Sequence, residues 1–425
     1  MRRLTREDIR KWKTSRQEDT SDIQGKVSDI VSDVRKRGDA AVKEYTERFD
    51  GISLSHFRVT REEISDAYES LSGKYLDIIQ EAAGNIRRFH EKQLPASWFD
   101  TSKDGSMLGQ KYSPIDKAGV YVPGGTAAYP SSVMMNIIPA QVAGVERIAM
   151  VTPPGENGQV PIGVLATAQI LGVTEIYKIG GAQAIAALAY GTETIPAVDK
   201  ITGPGNMFVA LAKKQVFGDV DIDMIAGPSE IAVLCDHTAR AGEVAADLLS
   251  QAEHDERSSA VCITTSRQLA DDVDREVKEQ LKQLPRKNIA EASINFFGGT
   301  VVVDTMEEAV DTVNEFAPEH LEVMTENPYE QLGAIRHAGA IFLGPYSSEP
   351  VGDYFAGPNH VLPTSGTARF SSPLNVHDFM KKSSVISYSA AAWHRNVDKI
   401  ASFARLEDLE GHARAVEKRK ERFDD

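Results

Sequence analysis

The chain is poor in cysteine: Cys235 and Cys262 are the only two among 425 residues. That excludes a disulfide scaffold, and because both lie in apolar strand-like runs they read as buried, reduced thiols. Neither flank supplies a base, so neither reads as a nucleophile. Long hydrophobic runs are missing as well. Nothing approaches the ~20 apolar residues that span a bilayer, and the charged start, Met1 to Thr20, has no apolar centre of the secretory kind. Positive charge is in deficit, with 47 Lys and Arg against 62 Asp and Glu and a formal net charge of −15. Such a surface repels phosphate backbones, so no nucleic-acid partner is expected. The expectation is a soluble protein of a reducing cytoplasm, without membrane contact.

The length allows two or three domains, and 41% hydrophobic residues suffice for a large core. Residues 1–23 are polar and read as an extension along another surface. Ile30 to Phe49 has helical spacing and stops at Asp50-Gly51. Thr60 and Glu63 form a capping box that opens a second helix, and Lys74 to Leu94 reads as a third. Residues 100–122 read as strands and turns. From there strands and helices alternate: helix at Ser131–Ala143, strand at Arg147–Thr152, helix at Ile162–Leu171, strand at Glu175–Ile179, helix at Ala182–Ala189, strand at Lys200–Thr202, helix at Asn206–Val216. A second alternating block runs from Ile231 to Leu343. Alternation of this kind predicts parallel βαβ units, hence an α/β protein. After about Ser383 a polar helical tail is expected.

The chemistry-bearing residues are scattered. Apolar positions at Ala241, Val244, Ala245, Leu248 and Leu249 predict a buried helical face. If that helix continues, Gln251 and His254 share a face three residues apart. Alone, the pair favours a polar helix end with a capping histidine over half of a metal site. Glycine turns at Gly124-Gly125, Gly180-Gly181 and Gly203-Pro204-Gly205-Asn206 precede helices, where backbone N–H groups can face an anion. None completes G-x-G-x-x-G, and tight turns alone explain them equally well. Ala226-Gly227-Pro228-Ser229-Glu230 reads first as a structural bend, with Ser229 a candidate ligand contact. Glu319 and His320 face opposite ways in a regular strand, but reach one cavity from a turn, where His320 suits general-base work. Asp353 and His360 bracket a Gly-Pro loop of the kind that captures ligands. In the tail, Glu407 and His412 project from a helix that reads equally as a solvated one. Together Gln251, His254, Asp353 and His412 offer two nitrogens and two oxygens, a set for zinc first and manganese second.

At this point long stretches resemble one family. Asp223-Met-Ile-Ala-Gly-Pro-Ser229-Glu230 and Asp247-Leu-Leu-Ser-Gln251-Ala-Glu-His254 are similar to the signature of the histidinol dehydrogenases. So are Gly119-Val-Tyr-Val-Pro-Gly-Gly125, Ala317-Pro-Glu-His-Leu321, Gly352-Asp-Tyr-Phe-Ala-Gly-Pro-Asn-His360 and Gly411-His412, in order along nearly the whole chain. The resemblance implies zinc- and NAD-dependent, four-electron oxidation of L-histidinol to L-histidine through a bound aldehyde. It implies zinc on Gln251, His254, Asp353 and His412. It implies substrate contacts from Ser229, His320, His360 and Glu407 together with the metal ligands, catalysis by Glu319 and His320, and NAD contacts from Tyr121, Gln183 and Asn206. It implies two incomplete Rossmann-like parallel-sheet lobes with small helical extensions at both ends. The expected layout is residues 1–23 as the N-terminal extension, 24–118 with 231–374 as one lobe, and 119–230 as the NAD lobe. Residues 375–425 are expected as a tail swapped onto the partner subunit of a homodimer with shared active sites. A zinc hydrolase and a non-catalytic metal sensor are the rival readings.

Overall fold

A computed structural model describes residues 1–15, 21–124 and 129–423. Gly125, part of one of the glycine turns, lies outside them. The strands in chain order are β1 (Arg3–Leu4), β2 (Trp98–Thr101), β3 (Met107–Pro114), β4 (Lys117–Tyr121), β5 (Arg147–Thr152), β6 (Ile176–Lys178) and β7 (Lys200–Thr202). They continue as β8 (Asp221–Ile222), β9 (Glu230–Cys235), β10 (Ser259–Thr264), β11 (Gly298–Val302), β12 (His320–Met324), β13 (Ala340–Leu343) and β14 (Met380–Ser387). Two compact units result: residues 1–94 with 115–379, and residues 95–114 with 380–425.

The first unit holds two parallel sheets. One has the order β6-β5-β4-β7-β8, the other β1-β11-β10-β9-β12-β13. In each, the first strand of the lobe (β4 or β9) lies inside, two successors extend to one side and two to the other. Each sheet therefore has a topological switch point, beside β4–β7 and beside β9–β12. β9, β10 and β12 are buried along their whole length. That explains the mostly apolar runs of β9 and β10, since helices cover both faces. Alternate residues of β9 go to opposite faces. Ile231 and Val233 pack with Val244, Leu248 and Val273, while Ala232 and Leu234 pack with Val310, Val313 and Ile9.

Packing draws the lobe boundaries differently from the expected layout. Val27, Ile30, Val31 and Val34 form one helical stripe that buries against Ile185, Leu188 and Val209, in the lobe of β4–β8. The helices Arg61–Ser70 and Gly73–Glu91 pack against Ile162–Ile170 and Pro130–Ala143 of the same lobe. The segment assigned to the β9–β13 lobe thus joins the other. The periodicity correctly marked a buried face and carried no information about which sheet receives it. Residues 1–15 are likewise part of a lobe: β1 pairs in parallel with β11, and the helix Arg6–Ser15 lies against Met306–Phe316. The run Ile30–Phe49 belongs to two helices, Ser21–Arg37 and Asp39–Asp50, separated at Gly38.

The second unit has a three-stranded antiparallel sheet, β14-β3-β2, and two helices, Ala390–Leu406 and Glu410–Glu417. The tail expected to be helical therefore opens with a strand. Its alternation was hidden because both faces of β14 carry polar residues, Lys381, Lys382, Ser383 and Ser384. Among the described residues, no helix is long and apolar enough to cross a membrane.

Candidate active site

The amino-terminal edge of the β9–β12–β13 sheet gathers Ser229, Glu319 and His320. Gly227-Pro228 bends the chain into β9, and the Gly227 N–H donates to Thr364 Oγ1 at 2.6 Å. Before β12, the helix Met306–Phe316 ends on Ala317 at φ 50°, a left-handed conformation uncommon for a residue with a Cβ. Pro318 follows, and β12 begins at His320. A Cβ on Gly339 would strike the Glu319 carbonyl, so glycine lets β13 close up at this point. Glu319 sits just outside the regular strand, and its side chain and that of His320 reach the same cavity. The opposition expected of neighbours in a strand is thereby avoided.

Glu319 Oε2 accepts the Glu230 N–H at 2.9 Å, and His320 Nδ1 lies 3.1 Å from the Glu230 carbonyl. A carbonyl only accepts, so Nδ1 carries a hydrogen and the ring presents Nε2 to the cavity. Nε2 is buried without a hydrogen-bond partner, 3.8 Å from Asp353 Oδ1. Burial pushes the Glu319 carboxyl up to about 8, against the opposing pull of His320 and the Glu230 N–H. Burial depresses His320, but Glu319, Asp353 and Glu349 outweigh it and raise the imidazole to about 10. Each is a buried ionisable group whose charge depends on its neighbours.

A cluster with the spacing to hold a cation lies alongside. His320, Glu349 and Asp353 offer ligand atoms all within 4.8 Å of one another. Asp353 stands on a single wide helical turn, Gly352–Ala356, a kind of irregularity frequent at functional sites. Burial works against its charge, but His320, His360 and His254 hold it below the usual carboxylate range. Gln251 is buried near the end of the helix Ala241–Ala252. Its Nε2 meets His254 Nδ1 at 3.0 Å, while its Oε1 is buried with no partner. An orphaned buried oxygen costs about 1–3 kcal/mol, a penalty that a divalent cation would remove. His360 donates from Nδ1 to the Asp353 carbonyl at 3.1 Å, and burial keeps the ring below the ordinary histidine range.

Ser229, His254, Glu319, His320, Asp353 and His360 thus line one cavity of about 180 Å³ within the first unit. Glu407 and His412 belong to the second unit, and both are exposed there. Tyr121, Gln183 and Asn206 line a different cavity of about 370 Å³, at the carboxyl ends of β4, β6 and β7. There the Tyr121 hydroxyl accepts the Gly181 N–H at 3.2 Å, and Gln183 Oε1 is buried without a partner. Gly203, at φ 113°, has no room for a Cβ, which would run into the Tyr121 carbonyl. Asn206 caps the next helix by accepting the Val209 N–H at 3.2 Å. Phe49 and Asp50 close another wall of this cavity, and burial pushes Asp50 up to about 6.

Sequence reasoning missed several residues here. Glu349 precedes Asp353 by four, a helical spacing that could have marked it. Ser131 and Ser132 line the cavity of Glu319 and His320 from a helix that reads only as apolar. Lys213 is buried and donates to the Gly203 carbonyl at 2.9 Å, and it pairs with Asp223. This pair ties the Gly203–Asn206 turn to the segment leading into Ser229, and no spacing rule announces it.

A family model described as histidinol dehydrogenase matches residues 13–420. A histidinol dehydrogenase of Bacillus licheniformis is 64% identical over 398 residues, covering 94% of this chain and 93% of that protein. One of Bacillus subtilis is 64% identical over 397 residues, covering 93% of each. The crystal structure of histidinol dehydrogenase from Elizabethkingia anophelis aligns with a TM-score of 0.91 at 39% identity, over 96% of this chain and 94% of that one. By its sequence over nearly its full length, and by its fold, the chain belongs to the histidinol dehydrogenase family.

Proposed function

We propose that this chain oxidises L-histidinol to L-histidine with two molecules of NAD, at a zinc site, through an aldehyde that stays bound. The observation that carries the reading is the convergence of Glu319, His320, Asp353, His254 and Ser229 on one small cavity. Full-length kinship with enzymes named for histidinol supports the substrate. The donor set fits a divalent cation: an orphaned amide oxygen on Gln251, a carboxylate on Asp353 and an imidazole on His254, with His412 of a second copy as the fourth ligand. When bound, zinc supplies a fixed positive charge that orients the substrate's imidazole and amine and lowers the proton affinity of His320. The cavity of Tyr121, Gln183 and Asn206 fits a dinucleotide, its orphaned Gln183 oxygen being a ready acceptor.

The side chains then have distinct tasks. His320, its tautomer held by the Glu230 carbonyl, takes the hydroxyl proton at Nε2 as the first hydride leaves carbon. Glu319 draws a proton from the water that adds to the aldehyde, and His320 accepts again in the second oxidation. Burial of both excludes bulk water, which protects the reactive aldehyde. The exposed apolar side chains of the second unit, Ile386, Phe403 and Leu406 among them, support a homodimer in which that unit completes the partner's site.

NADH appearance at 340 nm with histidinol, two per histidine formed, tests the reading. Loss with a chelator and recovery with zinc is the expected result. Turnover of an ester or amide substrate without NADH would favour a metal hydrolase instead.

A further inference from the structure

We propose that the amino terminus of the helix Pro130–Ala143, with the Ser131 and Ser132 hydroxyls, holds the carboxylate that forms at the end of the reaction. The inference rests on the proposed oxidation and adds a subsite to it. The helix has 14 residues, begins with proline and has no side-chain cap at Tyr129. Among the described residues no side chain caps its first N–H groups, and the helix end favours negative charge. Ser131 is 7% exposed and Ser132 4%, yet both line the cavity of Glu319 and His320. Among the described residues neither hydroxyl has a hydrogen-bond partner. Two unpartnered hydroxyls on buried residues that open on this cavity point to an acceptor that arrives from outside.

Polar and charged side chains stand among apolar ones in the cavity lining. Asp353, Glu319 and the approach from His254 suit a cationic amine and a metal. Ser131 and Ser132 bring hydrogen-bond donors to the same cavity, as does the Lys213 ammonium, which is paired with Asp223. The reaction creates a matching partner only in its second half. The aldehyde hydrate RCH(OH)₂ gives up a hydride to NAD⁺ and two protons, leaving RCOO⁻ and NADH. Histidinol carries no anion, histidine does, and only histidine brings a charged acceptor to these donors. In a doubly wound lobe the first helix conventionally meets the cofactor's pyrophosphate. Here that helix is the one after β4, and its start opens on the cavity of His320. The walls of the Tyr121–Gln183 cavity come from other segments.

The test compares L-histidine with histamine, which lacks the carboxylate, as inhibitors of the zinc-loaded enzyme. The wild type and the Ser131→Ala/Ser132→Ala variant are measured side by side. Wild type is expected to favour histidine by about tenfold to a hundredfold, as charge-assisted hydrogen bonds do. The variant should bring the ratio near unity, with histidinol affinity and zinc content unchanged within about threefold, and Ser132→Thr should retain most of the preference. A preserved ratio overturns the proposal, as does equal weakening of histidine and histamine. Weakened NAD alone also overturns it and assigns the donors to a phosphate. If wild type makes no NADH from histidinol, the underlying reading has failed, and the ratio then has no bearing on it.

Discussion

The two parallel sheets share one strand order and use opposite edges. In the sheet of β4–β8, the cavity of Tyr121, Gln183 and Asn206 opens at the carboxyl ends of the strands, on the side of the switch point where α/β proteins ordinarily bind ligands. In the sheet of β9–β13, Ser229, Glu319 and His320 stand at the amino ends. The difference teaches where each kind of demand is met. A cofactor needs turns, glycines and free N–H groups, which strand-to-helix junctions provide. Two buried ionisable groups need rigid anchoring, and the start of β12 gives it. The Glu230 N–H and carbonyl hold Glu319 and His320 from the neighbouring strand, and Gly339 lets β13 press from the other side.

If the amino-terminal edge is the chemical one, substitutions there reach both oxidations. We predict that His320→Asn lowers both half-reactions by about 10³-fold or more, because one base serves both proton transfers. Stopped-flow NADH formation from histidinol and from the aldehyde would show it. Survival of either half within tenfold would mean that another group takes that proton. Glu319→Gln should separate the halves, slowing aldehyde oxidation by about 10²-fold and alcohol oxidation by less than tenfold. Equal losses would remove the water-activating role.

The tail is the part of the comparison with no counterpart in either sheet. His412→Ala should loosen zinc by about ten- to a hundredfold, read by competition with a metal-sensitive dye. Inactive His320→Asn and His412→Ala chains, mixed and re-associated, should regain up to about a quarter of full activity, since one site in four combinations of parts is whole. Proven exchange without recovery would mean that each chain builds its own site.

How much of this was readable beforehand follows from the kind of signal involved. The alternation of βαβ units predicted most strands and helices of both sheets, because fully buried parallel strands leave continuous apolar runs such as Ile231–Cys235. β12 was not foreseen as a strand, since Pro318 and the polar Glu319-His320 start disguise it. The helix Lys287–Phe297 was not foreseen either. The layout of lobes failed at Ser21–Arg37, whose stripe says that it is buried and not by what. That His254 and Asp353 share a cavity, with Gln251 against His254, is a tertiary fact. Their types suggested a metal, and only the long family-like motifs grouped them as one expected ligand set. Ser131, Ser132 and Lys213 carry no spacing that separates them from core residues.

On the carboxyl-end side, effects should stay confined to the cofactor. Gln183→Ala is expected to raise KM for NAD about tenfold, leaving zinc content and histidinol affinity alone. A change in kcat of that size without a change in KM would place Gln183 in the chemistry and blur the distinction between the edges.

The smallest effect concerns the support behind the chemical edge. Glu322 of β12 faces Asp247 across the interior, and its Oε1 accepts the Glu349 N–H at 2.7 Å. Burial, then the Asp247 charge, pushes Glu322 up to about 9, and burial pushes Asp247 up to about 6. The fold therefore holds protons that the unfolded chain releases at ordinary carboxylate values. The stability from this pair is complete at acid pH and is lost as pH climbs toward 9. Glu322→Gln keeps the acceptor for Glu349 and offers Asp247 a permanent N–H donor. It should melt within a degree or two of wild type at pH 5 and a few degrees above it at pH 8.5, with zinc present throughout. Parallel melting curves at both pH values would mean that the pair does not change protonation on unfolding, and that the chemical edge rests on packing alone.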